Sequence, residues 1–170
     1  MPVDLYAPIT PAQSAAGFLI GTSLEDLHDA LHEATECEYK PGVNLVEKIR
    51  NNTGILKVTK LGPDEGPTFY FGPDIVRLIF NHENRLACVY VFDGYLGQYA
   101  GIGVGESIER ISEHHPIEFD EGDEMYYLVN DDGDYVPGLA IVGIGGKGIE
   151  LSKVRIDGFT VHDWSLFRKI

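Results

Sequence analysis

An eleven-residue pattern occurs twice in the chain at an offset of 84 residues, and it limits what the sequence can fold into. Gly17-Phe18-Leu19-Ile20-Gly21-Thr22-Ser23-Leu24-Glu25-Asp26-Leu27 overlays Gly101-Ile102-Gly103-Val104-Gly105-Glu106-Ser107-Ile108-Glu109-Arg110-Ile111. The shared form is G-x-x-[IV]-G-x-S-[LI]-E-x-[LI]. In each copy the first glycine opens or kinks a short strand. The second permits the backbone geometry of a tight strand-to-helix turn. The serine then caps a helix or lies in its first turn, where the acid complements the positive end of the helix dipole. In the first copy Thr22 and Glu25 have the spacing of a capping box. Leu24, Leu27 and Leu31 fall on one face of a helix running to about Ala34. The second helix must stop near His115, before Pro116.

Strands follow both copies. Residues 1–13, with Pro2, Pro8 and Pro11, read as an extended lead-in. Segments 55–60, 68–71, 75–80 and 86–92 read as strands, and Asn81-His82-Glu83-Asn84 is a hairpin signal. After the second copy, 125–129 and 135–141 flank an Asp131-Asp132-Gly133-Asp134 turn, and 149–156 and 159–167 read as further strands. Residues 43–50 fit a helix or a strand equally. With 20 glycines and 44% hydrophobic residues in short runs, the chain can bury a core without metal or disulfide staples. The expectation is an α+β fold, β-rich with few short helices. It forms one globular domain over 1–170, built from two pseudo-repeated halves at about 14–94 and 98–167. Each half runs strand, helix, then antiparallel strands.

The formal charge is −14, from 27 acids against 13 bases. Such a field repels nucleic acid and anionic membranes and speeds encounter with a basic partner. It is unevenly spread. Residues 111–146 hold no lysine or arginine but nine acids: Glu113, Glu118, Asp120, Glu121, Asp123, Glu124, Asp131, Asp132 and Asp134. Tyr126, Tyr127 and Tyr135 are interleaved. Tyrosine offers contact area with little entropy to lose, and acids around it meet Lys and Arg. The candidate partner-binding residues are therefore Glu118, Asp120, Glu121, Asp123, Glu124, Tyr126, Asp131, Asp132 and Asp134. An ordinary solvated hairpin reads the same way, because Asp and Gly are turn formers.

Signals for catalysis or cofactors are weak. Gly101-Ile102-Gly103-Val104-Gly105 is not G-x-G-x-x-G, and Gly145-Gly146-Lys147-Gly148 has glycine where a phosphate loop has Ser or Thr. His28 and His32 share a helix face, as zinc ligands can, but Asp29-Ala30-Leu31 between them supplies no catalytic glutamate. Asn130-Asp131-Asp132-Gly133-Asp134 lacks the ligand spacing of a calcium loop. No G-x-S-x-G is present. Cys37 is flanked by Glu36 and Glu38, which disfavour a thiolate, and Cys88 lies in an apolar run as a buried thiol. The expectation is no catalytic residue, no metal, no cofactor and no enzyme. Met1-Pro2-Val3-Asp4 lacks the basic start of a signal peptide, and no run approaches the roughly 18 apolar residues of a membrane span. A cytoplasmic location follows as the expectation.

Ser14-Ala15-Ala16-Gly17-Phe18-Leu19-Ile20-Gly21-Thr22-Ser23-Leu24 resembles the N-terminal motif of small bacterial proteins. Some of these are immunity proteins of polymorphic or contact-dependent growth inhibition toxin systems. The resemblance covers that stretch and its repeat. It implies a cytoplasmic binder that neutralises a cognate toxin by covering its active site or a nearby surface. The tandem helix-plus-sheet plan is also similar in outline to the β-lactamase inhibitor proteins. That family is secreted and disulfide-bonded, features this sequence does not show. The expected function is occlusion of a basic toxin domain, such as a nuclease, through the acidic tyrosine-bearing face, with no nucleic acid or membrane partner. Two other readings stay open. One is a small-molecule-binding or enzymatic domain with a pocket between the halves near the glycine turns. The other is a structural module that self-associates through a sheet edge.

Overall fold

The computed structural model describes residues 3–63 and 65–167. It is β-rich and α+β, with eleven strands and three short α-helices. A two-strand hairpin, β1 (Ser14–Ala15) with β2 (Phe18–Leu19), comes first. One nine-stranded sheet holds β3 (Thr35–Glu38), β4 (Ile55–Thr59), β5 (Glu65–Phe71), β6 (Val76–Asn81), β7 (Leu86–Val91), β8 (Ile117–Asp120), β9 (Met125–Val129), β10 (Tyr135–Val142) and β11 (Gly158–His162). Their order across the sheet is β3-β4-β5-β6-β7-β11-β10-β9-β8. All pairings are antiparallel except β3 with β4. The strands after the first glycine segment therefore meet those after the second where β7 pairs with β11.

Side chains alternate along a strand, so the register sorts residues into rows on the two faces. One row runs Ile55, Phe71, Val76, Val91, Phe159, Ile141, Tyr126, Phe119 across eight strands. The lead-in, both glycine segments, α1 (His28–Leu31) and α3 (Glu109–Ser112) cover this face. Ile9, Ala15, Ala16, Phe18, Leu31, Ile102, Ile108 and Ile111 belong to one continuous buried cluster with the sheet residues. Each large side chain there contributes about 1.5–3 kcal/mol relative to exposure. Both sets of strands share this core.

The two glycine segments make matching hydrogen bonds. Gly21 N donates to Leu86 O (2.8 Å) and Gly105 N to Ile156 O (2.7 Å). Leu24 N donates to Asn84 O (2.8 Å) and Ile108 N to Val154 O (2.9 Å). Arg85 Nη1 donates to Gly21 O (3.2 Å), and Arg155 Nη1 to Gly105 O (2.9 Å). Ser23 bridges to Arg85 and Ser107 to Arg155. Gly21 and Gly105 have φ of 88° and 91°, a region that side-chain-bearing residues rarely occupy.

Several local expectations change. The expected helix to Ala34 shrinks to α1, because Ser14–Leu19 is a hairpin and the segment after it turns instead of winding. Thr22 forms no capping box. Its hydroxyl donates to Leu19 O, while Ser23 Oγ accepts from Asp26 N (3.1 Å) and donates to Asp26 Oδ2 (2.7 Å). Residues 43–50 resolve as a helix, α2 (Leu45–Arg50), capped by Asn44 Oδ1 accepting from Glu47 N. Residues 149–156 are not a sheet strand. Leu151–Lys153 make a 3-10 turn, and Ile156 gives its backbone groups to Gly105 and Glu106. The last strand stops at His162, where Asp163 accepts from Ser165 N and Oγ and turns the chain into a 3-10 segment, Trp164–Phe167. Strand β3, parallel to β4, was not foreseen.

An added β-carbon at Gly21 or Gly105 meets nothing within 4 Å. Gly21→Ala and Gly105→Ala should therefore each cost only the conformational penalty, about 1–2 kcal/mol, with the two costs similar and additive in the double variant. Gly138→Ala should cost more, since its β-carbon would come within 2.6 Å of the Ala12 side chain at φ of 106°. Urea denaturation followed by circular dichroism checks all three.

Candidate interaction face

The second face of the sheet carries the next row over: Leu56, Tyr70, Arg77, Tyr90, Thr160, Ala140, Tyr127, Glu118. At one end α2 lays Leu45 and Ile49 against Leu56, Val58 and Tyr70. Nearer the other end Trp164 packs with Met125, Tyr127 and Ala140. Between them lies Arg77. Its guanidinium sits 5.3 Å from the Tyr70 ring centre and 5.1 Å from those of Tyr90 and Phe92, a cation–π cage. Asp74 closes it with an ion pair. Burial is the largest single influence on Arg77 and works against its charge, but the hydrogen bonds it donates to Asp74, together with the Asp74 charge and the neighbouring tyrosines, outweigh burial and the group stays cationic. Burial also pushes the Tyr70 and Tyr90 hydroxyls above their ordinary range. The centre of the face is thus charge-balanced within itself.

The acidic residues gather at the β8 end. Glu118 and Asp120 stand on β8, with Glu118 opposite Tyr127. Glu121, Asp123 and Glu124 occupy the turn into β9. Asp120 Oδ1 accepts from Asp123 N (2.8 Å), and Tyr127 Oη donates to Asp123 Oδ2 (2.6 Å). Burial and then Asp123 raise the Tyr127 hydroxyl pKa. The Tyr135 ring stacks on Tyr127, centres 4.9 Å apart and 9° from parallel, and is 41% exposed. Loss of solvent, then Asp120 and Glu118, raise its hydroxyl as well. The result is an aromatic pair rimmed by carboxylates.

Not every candidate residue joins this group. Asp131, Asp132 and Asp134 lie in the turn at the far end of β9, where Asn130 Oδ1 accepts from Asp132 N (3.0 Å) and Asp134 N (2.9 Å). The five residues of β9 separate the two acidic turns by roughly 17 Å. Tyr126 is a correction. It points to the opposite face, is 2% exposed and packs edge-on against Phe119 at 5.0 Å. Strand alternation puts Tyr127 on the acidic side of the sheet, where it is buried, and Tyr135 stacked on it is the exposed aromatic. The Arg77 cage left no linear signal, because Arg77 and its rings come from three separate strand segments, β5, β6, and β7 with the residue after it. His28 and His32, on exposed positions of α1, have ring centres 5.9 Å apart. Among the described residues no three His, Cys, Asp or Glu side chains are grouped to hold a metal ion. Among them also, no helix is long and apolar enough to cross a membrane.

Among the described residues, three buried side-chain polar atoms lack partners: Tyr126 Oη, His162 Nδ1 and Trp164 Nε1. His162 sits on β11 with Trp164 stacked on it at 4.1 Å, and its Nε2 is 3.4 Å from Gly138 N. Burial lowers its pKa to about 4. Cys88, beside it, has Sγ 2.8 Å from Thr160 Oγ1, and burial pushes its pKa up to about 12, so it is an inert thiol. No family model, curated protein or solved structure matches the chain.

Tyr126→Phe removes a buried hydroxyl that has no partner. It should raise stability, by about 1 kcal/mol, measured by urea denaturation. His162 makes stability pH-dependent. Its folded pKa near 4 lies below the unfolded value near 6.5, so between those values the unfolded chain binds more protons. The contribution is present above 6.5 and falls as pH drops towards 4, by on the order of 3 kcal/mol in full. Wild type should therefore lose more stability than His162→Gln on going from pH 7 to 4.

Proposed function

We propose that this chain is a cytoplasmic immunity protein that neutralises a basic toxin domain by covering its active or substrate-binding surface. The acidic end of the open sheet face makes the contact. One observation carries this reading. The Tyr127–Tyr135 stack, buried at Tyr127 and exposed at Tyr135, has Glu118, Asp120 and Asp123 about it, with Glu121 and Glu124 in the same turn. Among the described residues none of these acids is ion-paired to a lysine or arginine. Stacked rings on a sheet are already ordered, so little entropy is lost when they are covered. Unpaired carboxylates around them steer a cationic surface into place. Occlusion of this kind needs no turnover and no cofactor.

The chain also reads as two copies of one unit. The matched hydrogen bonds of the Gly21 and Gly105 segments support this, as does the sheet order, in which β7 and β11 meet at the middle. On that plan the second copy differs by carrying the uncompensated acids.

The test is whether the reading frame beside this chain encodes a basic toxin domain and whether this chain binds it. Reversing two acids, Glu121→Lys with Asp123→Lys, should slow association about ten-fold or more at low salt and flatten its salt dependence. Reversing Asp131 and Asp132, across the strand, should matter less. Stopped-flow or surface-plasmon kinetics read both. An on-rate and affinity indifferent to the first pair would overturn the proposal.

A further inference from the structure

The two free edges of the sheet carry similar acids and treat them differently. On β3, Glu36 and Glu38 are each held by a lysine, Lys57 and Lys60, at 2.9 Å. On β8, at the opposite edge, Glu118 and Asp120 have no such partner among the described residues. The backbone of β8 is also open. Val129 N donates to Pro116 O, which fixes the hydrogen-bonded register. Glu118 and Asp120 then bond inward to Tyr127 and Met125, and the N–H and C=O of Ile117 and Phe119 point away from the sheet.

A cleft of about 570 Å³ follows this edge. One wall is the consecutive run 117–122, as a cleft along a strand's free edge requires. The other is the glycine-rich loop, with Lys147 and Ile149. Tyr126 also lines the cleft. It is 98% buried by its 2% exposure, and its hydroxyl has no partner. A β-carbon on Gly145 would collide with that hydroxyl, so the loop can lie this close only as glycine. Unpaired main chain, unpaired acids on one side, apolar Ile117 and Phe119 on the other, and an unsatisfied hydroxyl thus share one cleft.

We propose that the edge of β8 accepts an extended segment of the basic partner as an additional strand, with its apolar side chains beside Ile117 and Phe119 and its Lys or Arg side chains beside Glu118 and Asp120. This rests on the acidic end being the binding face. It narrows the partner to one presenting a strand that alternates basic and apolar residues. A second copy of this chain is disfavoured there, because two β8 edges would set like charges against each other.

The probe is a synthetic peptide, acetyl-(Lys-Val)3-Lys-amide, with two N-methylated forms: one methylated at every valine, the other at the inner lysines. A strand presents alternate N–H groups to each edge, so only one methylated form should lose affinity, about ten-fold or more. The other should bind as the parent does. Hydrogen exchange followed by NMR should show the Ile117 and Phe119 amides slowed by the parent peptide. A Glu-for-Lys peptide should not bind. Equal effects of the two methylation patterns, unslowed Ile117 and Phe119 amides, or no saturable binding would each overturn strand addition. Loss of toxin binding in the Glu121→Lys, Asp123→Lys variant alongside any of these results would leave the acidic face standing and remove only its strand-adding mode.

Discussion

Pairing of β7 with β11 is the contact on which the rest of the molecule depends. Val91 stands opposite Phe159, Tyr90 opposite Thr160, Val89 opposite Val161 and Cys88 opposite His162. These four pairs join five strands to four. On one side Val89, Val91, Phe159 and Val161 enter the common core, and on the other Cys88, Tyr90, Thr160 and His162 lie in the middle of the second face. Gly158 opens the seam. A side chain there would collide with Val91 O and the Phe92 ring, so the close approach requires glycine. Without the seam neither set of strands could extend the apolar row from Ile55 to Phe119.

The seam also decides which part of the second face is left to act. Its centre is chemically closed. Arg77 is enclosed by three rings and Asp74, Cys88 is held as a thiol, and His162 is neutral through the ordinary pH range. Burying the unmatched His162 Nδ1 and Trp164 Nε1 works against stability, and stacking and apolar contact around them must offset it. What remains accessible and uncompensated lies at the β8 end.

Much of the fold was legible because its signals are local. The strands over 55–59, 76–81, 86–91 and 125–129 follow from alternation and turn residues, and Gly21 and Gly105 from the need for positive φ. The failures have a common cause. Residues 149–156 alternate apolar and polar like a strand, yet Ile156 bonds to the Gly105 segment, a pairing set by tertiary structure. Strand alternation sends Tyr126 and Tyr127 to opposite faces but does not itself say which faces the core. That choice comes from Phe119 and Ile141, neighbours in the folded row. Linear charge density merged the acids of 118–124 with Asp131, Asp132 and Asp134, because sequence distance ignores the length of β9.

The acids of the β8 end do different work. Asp120 and Asp123 are structural: one accepts a turn N–H, the other the Tyr127 hydroxyl. The side chains of Glu118, Glu121 and Glu124 make no hydrogen bond within the described residues, and Glu124 holds φ of 56°, where a side-chain-bearing residue is strained. Their mutual repulsion destabilises the turn, and dissolved salt relieves it by screening. Cationic side chains of a partner relieve the same repulsion directly. Salt and partner therefore compete for one electrostatic term. If the acidic end binds a basic partner as proposed, conditions that steady the free turn weaken that complex, and the repulsion among the uncompensated acids becomes a source of affinity only when a basic surface covers them.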